Sequence, residues 1–271
     1  MCALIDYEQY HSKGRTAEFA DVFERARVRT IRAAVAKWGI TTAGTFLDVG
    51  AGEGRYLPVW QSLFPNATLI AAELSATAVE RSAKRYPFAK HLMAPAECLP
   101  FDNASVDALA SIEVLEHVLS PIKMLSECYR VLRPGGWALF STPCANRHWG
   151  WWLNYFAGTI GQGLGGGITL VGDDPTHLRI YRSRELAVLL GAVGFEQEQH
   201  FFGGHGFLHI GQTLERSVKS RLNIERRSRQ LAKAFDRAYD GIAQLDWWLL
   251  RRVPAATTMI YLVRKPTPPP W

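Results

Sequence analysis

The stretch Phe46-Leu47-Asp48-Val49-Gly50-Ala51-Gly52-Glu53-Gly54-Arg55 decides the fold that we predict for this chain. Its apolar first half predicts a short buried strand, its glycines a tight turn, and the segment from Tyr56 to Leu63 the start of a helix. Glycine permits positive φ and lets a ligand approach backbone N–H groups, and the helix N-terminus attracts negative charge. The stretch therefore predicts a ligand-binding loop, although a tight turn without a ligand would use the same residues.

The spacing of the glycines helps to distinguish between nucleotide ligands. A dinucleotide fingerprint, G-x-G-x-x-G, needs a third glycine where this chain has Arg55, whereas the third glycine here is Gly54. Glu73 follows a second apolar run, Ala67–Ala72, and an acidic residue at the end of a second strand can accept both hydroxyls of a ribose. These features indicate a nucleoside ligand and depart from the dinucleotide pattern.

Three segments resemble the motifs of one enzyme family. The run Asp48–Gly54 followed by Glu73 resembles the first two motifs of class I S-adenosylmethionine-dependent methyltransferases. Glu113-Val114-Leu115-Glu116-His117 resembles the motif after the fourth strand in small-molecule methyltransferases of the ubiquinone-biosynthesis kind (type 11), and Leu132-Arg133-Pro134-Gly135-Gly136 is similar to another family motif. The resemblance implies a doubly wound, Rossmann-like α/β fold with a seven-stranded sheet, an antiparallel last strand and an α-helical cap.

The same resemblance implies an enzyme whose cofactor is S-adenosyl-L-methionine and whose product is S-adenosyl-L-homocysteine. The amino-acid end of the cofactor would lie along the glycine loop, and its ribose on the acid after the second strand. The segment Ala94–Phe101 is similar to the family's stretch beside the adenine, although Pro95 stands where an acid is expected. The predicted cofactor-binding residues are Asp48, Gly50, Ala51, Gly52, Gly54, Glu73, Leu74, Ala96, Glu97 and Glu113.

Two histidines are candidate catalytic residues. In an open α/β sheet, ligands bind outside the carboxyl ends of the strands, where His117 would fall. The segment Asp173–Tyr181 resembles one found in methyltransferases that act on sugars, lipids or secondary metabolites, which implies that His177 faces the acceptor. If the acceptor is a hydroxyl, His117 or His177 could take its proton, with His117 slightly preferred. A purely structural histidine remains an equal alternative for His117.

An aromatic and glycine-rich insertion, residues 143–180, is predicted to cover the ligand edge. Its aromatic cluster could line an apolar substrate pocket or could pack as a hydrophobic plug. The polar and aromatic N-terminal arm is a second candidate cover, with a frayed terminus as the alternative. The predicted lid residues are Tyr7, Tyr10, His148, Trp149, Trp152, Asp174 and Tyr181.

Composition limits the class of protein. The chain has 271 residues, 48% of them hydrophobic, and no run of about 20 apolar residues that would span a membrane. Its first residues do not resemble a signal peptide, so we expect a cytoplasmic protein. The four scattered cysteines lack the spacing of a zinc site, and we predict reduced thiols and no metal site.

The predicted organisation has four parts. Residues 1–40 form an arm and a helix, and residues 41–202 with 255–265 form the methyltransferase core, which contains the lid insertion. Residues 203–254 form the helical cap, and residues 266–271 form a flexible tail.

The net positive charge is compatible with several kinds of partner and does not distinguish between them. The net charge is +6, and much of the excess lies in Arg216–Arg237, which is interleaved with acids and therefore predicts a solvated helix face. Trp247 and Trp248 next to two arginines allow peripheral membrane contact, although packing on the lid or on a second subunit is commoner. We expect a monomer or a homodimer that binds no nucleic acid.

The predicted reaction is methyl transfer to a small-molecule, sugar-linked or lipid-linked metabolite, with a hydroxyl oxygen as the first choice of acceptor. N- or C-methylation of a similar acceptor is the alternative. An RNA methyltransferase or a non-catalytic S-adenosylmethionine-binding protein is a weaker interpretation, and the position of Gly54 disfavours a nicotinamide dehydrogenase.

Overall fold

The computed structural model describes residues 22–37, 44–145, 176–203, 229–253 and 258–268. It contains a single seven-stranded sheet with helices on both faces. The strands are β1 (Thr45–Val49), β2 (Thr68–Glu73), β3 (Lys90–Met93), β4 (Val106–Ile112), β5 (Leu132–Pro143), β6 (Glu196–Gly203) and β7 (Thr258–Arg264). The helices are α1 (Val22–Lys37), α2 (Leu57–Leu63), α3 (Ala76–Arg85), α4 (Pro121–Val131), α5 (Ser183–Val193) and α6 (Arg229–Leu250).

The order of the strands in the sheet is β3-β2-β1-β4-β5-β7-β6. Neighbouring strands from β3 to β5 run parallel, and β7 runs antiparallel to both β5 and β6. The order reverses at β1, so the carboxyl ends of β1 and β4 meet at the topological switch point, where open α/β sheets bind ligands. This arrangement confirms the predicted doubly wound fold and its antiparallel last strand.

Each face of the sheet carries its own hydrophobic core. Neighbouring residues of a strand point to opposite faces, and β1 shows this alternation. Phe46 packs with Trp60 of α2 in the cluster that also includes α1. Leu47 packs with Leu125 of α4 in the cluster that also includes α5. A buried parallel strand must be apolar on both sides, which explains the continuous apolar run before the glycine loop.

Two local predictions about helix and strand ends are wrong. Serine is a preferred capping residue, so the sequence predicts caps at Ser75 and Ser183. Arg182 is instead the capping residue of α5, with its backbone N–H donating to Glu185 Oε2 at 2.8 Å, and Ser183 is the first helical residue. Ser75 does cap α3, because its Oγ accepts the Ala78 N–H at 3.2 Å.

The second error concerns the Leu-Arg-Pro-Gly-Gly segment. Its proline and two glycines predict a turn before the fifth strand, but β5 already begins at Leu132. The pairing with β4 shifts between Val106 and Ala108, where Gly135 has a φ of +77°. The extra residues form an irregularity inside the strand, which glycine tolerates without steric cost.

Helix α6, which lies in the predicted helical cap, contacts both α1 and β6. Helix α6 packs on α1, and Arg25 Nε forms an ion pair with Asp240 Oδ1 at 3.0 Å. Within the described segments, no helix has both the length and the apolar character needed to cross a membrane. Cys98, Cys128 and Cys144 are free thiols, in agreement with the prediction for these three.

Candidate functional site

The glycine loop lies directly against the segment that follows β4. A Cβ built on Gly50 would lie 2.4 Å from Val114 Cγ2, and one built on Gly54 would lie 2.2 Å from Ser82 Oγ. Both glycines, and Gly52 between them, have positive φ. Side chains at Gly50 and Gly54 would therefore be excluded both by backbone conformation and by close packing. This result supports the expectation that the glycines hold the loop in a compact form.

Glu73 binds the backbone of two loops at once. Its Oε2 accepts the Gly52 N–H at 2.9 Å, and its Oε1 accepts the N–H groups of Leu74 at 2.8 Å and Ser75 at 3.0 Å. A carboxylate has about four lone-pair sites, so one of these on Oε2 stays available. Glu73 is therefore fixed at the carboxyl end of β2, beside the glycine loop, and can still accept from a ligand.

The residues predicted near the adenine lie close to this edge. Leu74 is 47% exposed, which is high for a leucine between a buried acid and a helix cap. Ala96 is half-buried against the core, and Glu97 Oε1 accepts the Ser120 N–H at 3.2 Å. Leu74 thus offers an uncovered apolar surface, and Glu97 joins the third and fourth strand-to-helix segments.

Asp48 points into the core below the loop. Its Oδ2 accepts the indole Nε1–H of Trp60 at 3.0 Å, and the residue is 2% exposed. Burial, with a further contribution from the negative charge of Glu73, raises the pKa of Asp48 to about 7, although the Trp60 hydrogen bond acts in the opposite direction. Asp48 therefore connects β1 to α2 beneath the glycine loop, and its predicted role in cofactor binding stays a prediction.

Glu113 is held by three other elements. Its Oε1 accepts the hydroxyls of Ser141 at 2.6 Å and Thr258 at 3.2 Å, and its Oε2 pairs with Arg27 at 3.1 Å. Its φ of +56° is uncommon for a residue other than glycine. The carboxylate therefore ties α1 to β5 and β7, and the cofactor contact predicted for Glu113 stays a prediction.

The two candidate catalytic histidines lie together. The ring centroids of His117 and His177 are 4.9 Å apart, although 60 positions separate the two residues in the chain. Glu116 completes the group: its side chain is fully buried, and its Oε1 lies 3.9 Å from His117 Nε2. Burial, with the nearby charge of Glu113, raises the pKa of Glu116 well above its usual value. The cluster of Glu116, His117 and His177 is called the Glu-His-His cluster below.

Several contacts hold the segment 176–181 against the turn after β4. The Leu178 N–H donates to the Glu116 carbonyl at 2.9 Å, and Arg179 Nη1 donates to the Val118 carbonyl at 2.7 Å. Tyr181 is buried, and its hydroxyl donates to the Leu115 carbonyl at 3.3 Å. The structure thus brings His177 to the site, while Tyr181 acts from the core as an anchor of the segment.

Two residues of the site lie outside the predicted motifs, and several predicted residues lie outside the described segments. Arg27 and Thr142 contact the acids of the site but were not predicted, because neither belongs to a motif. A basic residue on the predicted first helix was the only available signal for Arg27. The predicted lid residues Tyr7, Tyr10, His148, Trp149, Trp152 and Asp174 lie outside the described residues, as does most of the basic segment 216–237.

Comparison with known proteins identifies this arrangement. Residues 47–140, which include the glycine loop and the turn after β4, match the family model described as a methyltransferase domain. The chain carries a methyltransferase domain. A Mycolicibacterium smegmatis protein named as an S-adenosylmethionine-dependent methyltransferase is 31% identical over 160 residues, which are 59% of this chain and 55% of that protein. The chain thus spans about half the length of this relative.

One further relative and one solved structure of similar fold extend the comparison. A ubiquinone/menaquinone biosynthesis C-methyltransferase of Geobacter sp. is 28% identical over 196 residues, covering 66% of this chain and 83% of the relative. The crystal structure of a [4+2]-cyclase has a TM-score of 0.59 and 18% identity, with 94% of this chain and 86% of the cyclase covered. Over residues 47–140 the sequence matches agree with the predicted family, and the names of the relatives support the predicted enzyme class and its cofactor, S-adenosylmethionine. The cyclase shows a similar fold and no more.

Proposed function

We propose that the protein transfers a methyl group from S-adenosylmethionine to a hydroxyl oxygen of a small-molecule, sugar-linked or lipid-linked metabolite. The observation that carries this proposal is the contact between Gly50 and Val114. Because Val114 is three residues before His117, the contact puts the glycine loop next to the Glu-His-His cluster. A cofactor on one side and a proton acceptor on the other are the parts that O-methylation needs.

The predicted cofactor placement uses the carboxyl edge of β1, β2 and the segment after β3. The amino-acid end lies along the loop from Gly50 to Gly54, and the ribose lies on Glu73, whose Oε2 retains acceptor capacity. The adenine lies on the exposed side of Leu74, near Ala96 and Glu97. Covering an exposed leucine of this kind with a ring removes apolar surface from water, which favours binding.

Methyl transfer from a sulfonium is an in-line displacement. The acceptor oxygen forms the new C–O bond, the C–S bond breaks, and the sulfur becomes a neutral thioether. Alignment can lower such a barrier by about 7–11 kcal/mol, while a general base adds a factor of about 10²–10⁴. The rigid loop against Val114 supplies the alignment, and the histidines supply the base.

His117 is the better candidate for the base. Its Nδ1 contacts the Thr176 carbonyl oxygen at 3.0 Å. A carbonyl oxygen only accepts, so Nδ1 carries the proton and Nε2 is the basic nitrogen. His177 lies beside it as the alternative base. The lid residues outside the described segments are proposed to cover the acceptor, whereas Tyr181, which was predicted as a lid residue, is buried in the core and anchors the segment 176–181.

One alternative has specific support. The Geobacter relative is named as a C-methyltransferase, and it is covered over most of its length, which favours carbon as the second candidate acceptor atom. A non-catalytic S-adenosylmethionine-binding protein stays the weaker alternative. A cytoplasmic location, a role in secondary metabolism and a monomeric or dimeric state also remain proposals.

The experiment is a transfer assay with a panel of acceptors. Purified protein is incubated with S-adenosylmethionine and with phenols, quinols, hydroxy acids and hydroxylated lipids, and mass spectrometry detects a product that has gained one methylene mass. We expect an O-methylated product whose rate falls about 10²–10⁴-fold in His117→Gln. His200→Gln is the matched control, since His200 lies on β6 and stacks on Tyr261. Products methylated only on carbon, or unchanged turnover in both His117→Gln and His177→Gln, would contradict the proposal.

A further inference from the structure

The Glu-His-His cluster contains a buried oxygen that lacks a protein partner. Glu116 is fully buried, and its Oε2 accepts the Thr142 hydroxyl at 2.9 Å. Its Oε1 has no hydrogen-bond partner among the residues that the structure describes. An unsatisfied buried carboxylate oxygen is costly, and an ion is one of the few groups that satisfies it.

Two imidazoles lie close to this carboxylate, and His117 Nε2 is 3.9 Å from Glu116 Oε1. One ligand atom from each of Glu116, His117 and His177 lies within 4.8 Å of the other two. The two imidazoles are half-buried, whereas Glu116 is buried. Two histidines and one carboxylate form a donor set that binds first-row divalent transition metals and leaves coordination positions open.

The hydrogen bonds that hold the candidate ligand residues in place also suit a metal site. Ligating histidines donate the other ring N–H to a carbonyl or carboxylate, which fixes the tautomer. His117 Nδ1 has this partner in the Thr176 carbonyl at 3.0 Å, so Nε2 is directed to the cluster as a neutral ligand. Thr142 orients Glu116 in the same way. Both fixed ligands therefore have a supporting residue from another segment.

We propose that Glu116, His117 and His177 bind a divalent transition-metal ion. Ligand atoms about 2.0–2.2 Å from such an ion lie closer to each other than the 3.9 Å between Glu116 Oε1 and His117 Nε2. Small rotations of the side chains toward the ion would bring the two ligand atoms to the shorter separation. The sequence predicts no metal site because the ligands come from two segments whose spacing matches no metal motif.

The role of this ion in catalysis rests on the proposed function. A metal lowers the pKa of an oxygen that it binds, so the acceptor hydroxyl would release its proton to water before its oxygen attacks the methyl carbon. Both histidines are then ligands, and the base role proposed above belongs to the metal-free protein. Metal binding itself does not depend on methyl transfer and is tested without it.

The test measures binding of Co²⁺, Zn²⁺ and Mg²⁺ to chelator-treated protein by calorimetry, together with the visible absorption spectrum of the Co²⁺ complex. We expect one Co²⁺ or Zn²⁺ per chain and much weaker binding of Mg²⁺, because imidazole nitrogen suits transition metals. Thr142→Val should weaken Co²⁺ binding about 10–100-fold, and His177→Gln and Glu116→Gln should weaken it further. His200→Gln and Cys98→Ser should bind as the wild type does.

The outcomes separate the two proposals. If Glu116→Gln fails to fold, His177→Gln carries the same test, since His177 is only half-buried and lies outside the helices and strands. No binding of Co²⁺ or Zn²⁺, or binding that is equal in wild type, Thr142→Val and His177→Gln, would overturn the metal site. Either result leaves the methyl-transfer assay unaffected, whereas a bound metal without any methylated product would contradict the proposed function alone.

Discussion

Gly50 and Val114 are in such close contact that no side chain fits between them. A Cβ on Gly50 would lie 2.4 Å from Val114 Cγ2 and 2.8 Å from Cγ1. The loop after β1 and the segment after β4 therefore act as one surface at the switch point of the sheet. This contact is the physical link between the cofactor side of the site and the Glu-His-His cluster.

Substituting Gly50 should lower both the stability of the fold and the affinity for the cofactor. We expect Gly50→Ala to lower the melting temperature and to abolish S-adenosylmethionine binding, since alanine meets Val114 and is strained at a φ of +73°. Gly191→Ala is the matched control, because a Cβ there meets nothing within 4 Å. Differential scanning fluorimetry with and without the cofactor measures both effects. Equal behaviour of the two variants would show that the close contact has no consequence.

The buried Asp48 should make stability depend on pH. Its pKa is about 7 in the folded protein and about 3.9 in the unfolded chain, so the folded state holds more protons between these values. The free energy of unfolding should therefore fall as the pH rises from about 4 to about 7, by at most about 4 kcal/mol from this residue. Asp48→Asn keeps an oxygen acceptor for Trp60 and lacks this dependence.

Urea denaturation of the wild type and of Asp48→Asn at several pH values measures this difference. Other titrating groups, including Glu116, contribute to both proteins and largely cancel. The advantage of the asparagine variant should grow through this pH range and stay constant above it. A difference between the two proteins that does not change with pH would show that Asp48 titrates normally.

The Arg27–Glu113 pair should stabilise the attachment of α1. We expect Arg27→Gln to lower the free energy of unfolding by about 1.5–3 kcal/mol, the range for a hydrogen bond to a charged group. The arginine is largely buried and lies 3.1 Å from its partner, so solvent screens the pair only partly. Arg32→Gln, on the exposed side of the same helix, should change it by less than about 0.5 kcal/mol. Similar losses in the two variants would contradict a specific role for the pair.

The sequence predicted the parts of the site that short motifs define. The glycine loop, Glu73 and the turn from Glu113 to His117 follow a strand within a few residues, so local patterns place them at the sheet edge. The proximity of His177 was implied only by resemblance, because long-range packing of the segment 176–181 brings it there.

Other features could not be predicted from local patterns. Glu113 forms an ion pair with Arg27 and accepts a hydrogen bond from Thr258. Both partners are far from Glu113 in the chain, and no sequence periodicity indicates such contacts. The direction of the Asp48 side chain depends on its hydrogen bond to Trp60, which lies in the core on the same face of the sheet as α1. The start of β5 at Leu132 depends on pairing with β4, which overrides the turn tendency of proline and glycine.

The most direct test of the account is calorimetric titration of the ligand-free protein with S-adenosylmethionine, S-adenosylhomocysteine and NAD. The same titrations use Glu73→Ala, with Glu80→Gln as a control at an exposed site on α3. We predict micromolar binding of both sulfur nucleosides to the wild type and the control, loss of binding in Glu73→Ala, and no binding of NAD. Binding of NAD alone, or undiminished S-adenosylmethionine binding in Glu73→Ala, would contradict the central claim that the glycine loop and Glu73 form the S-adenosylmethionine site.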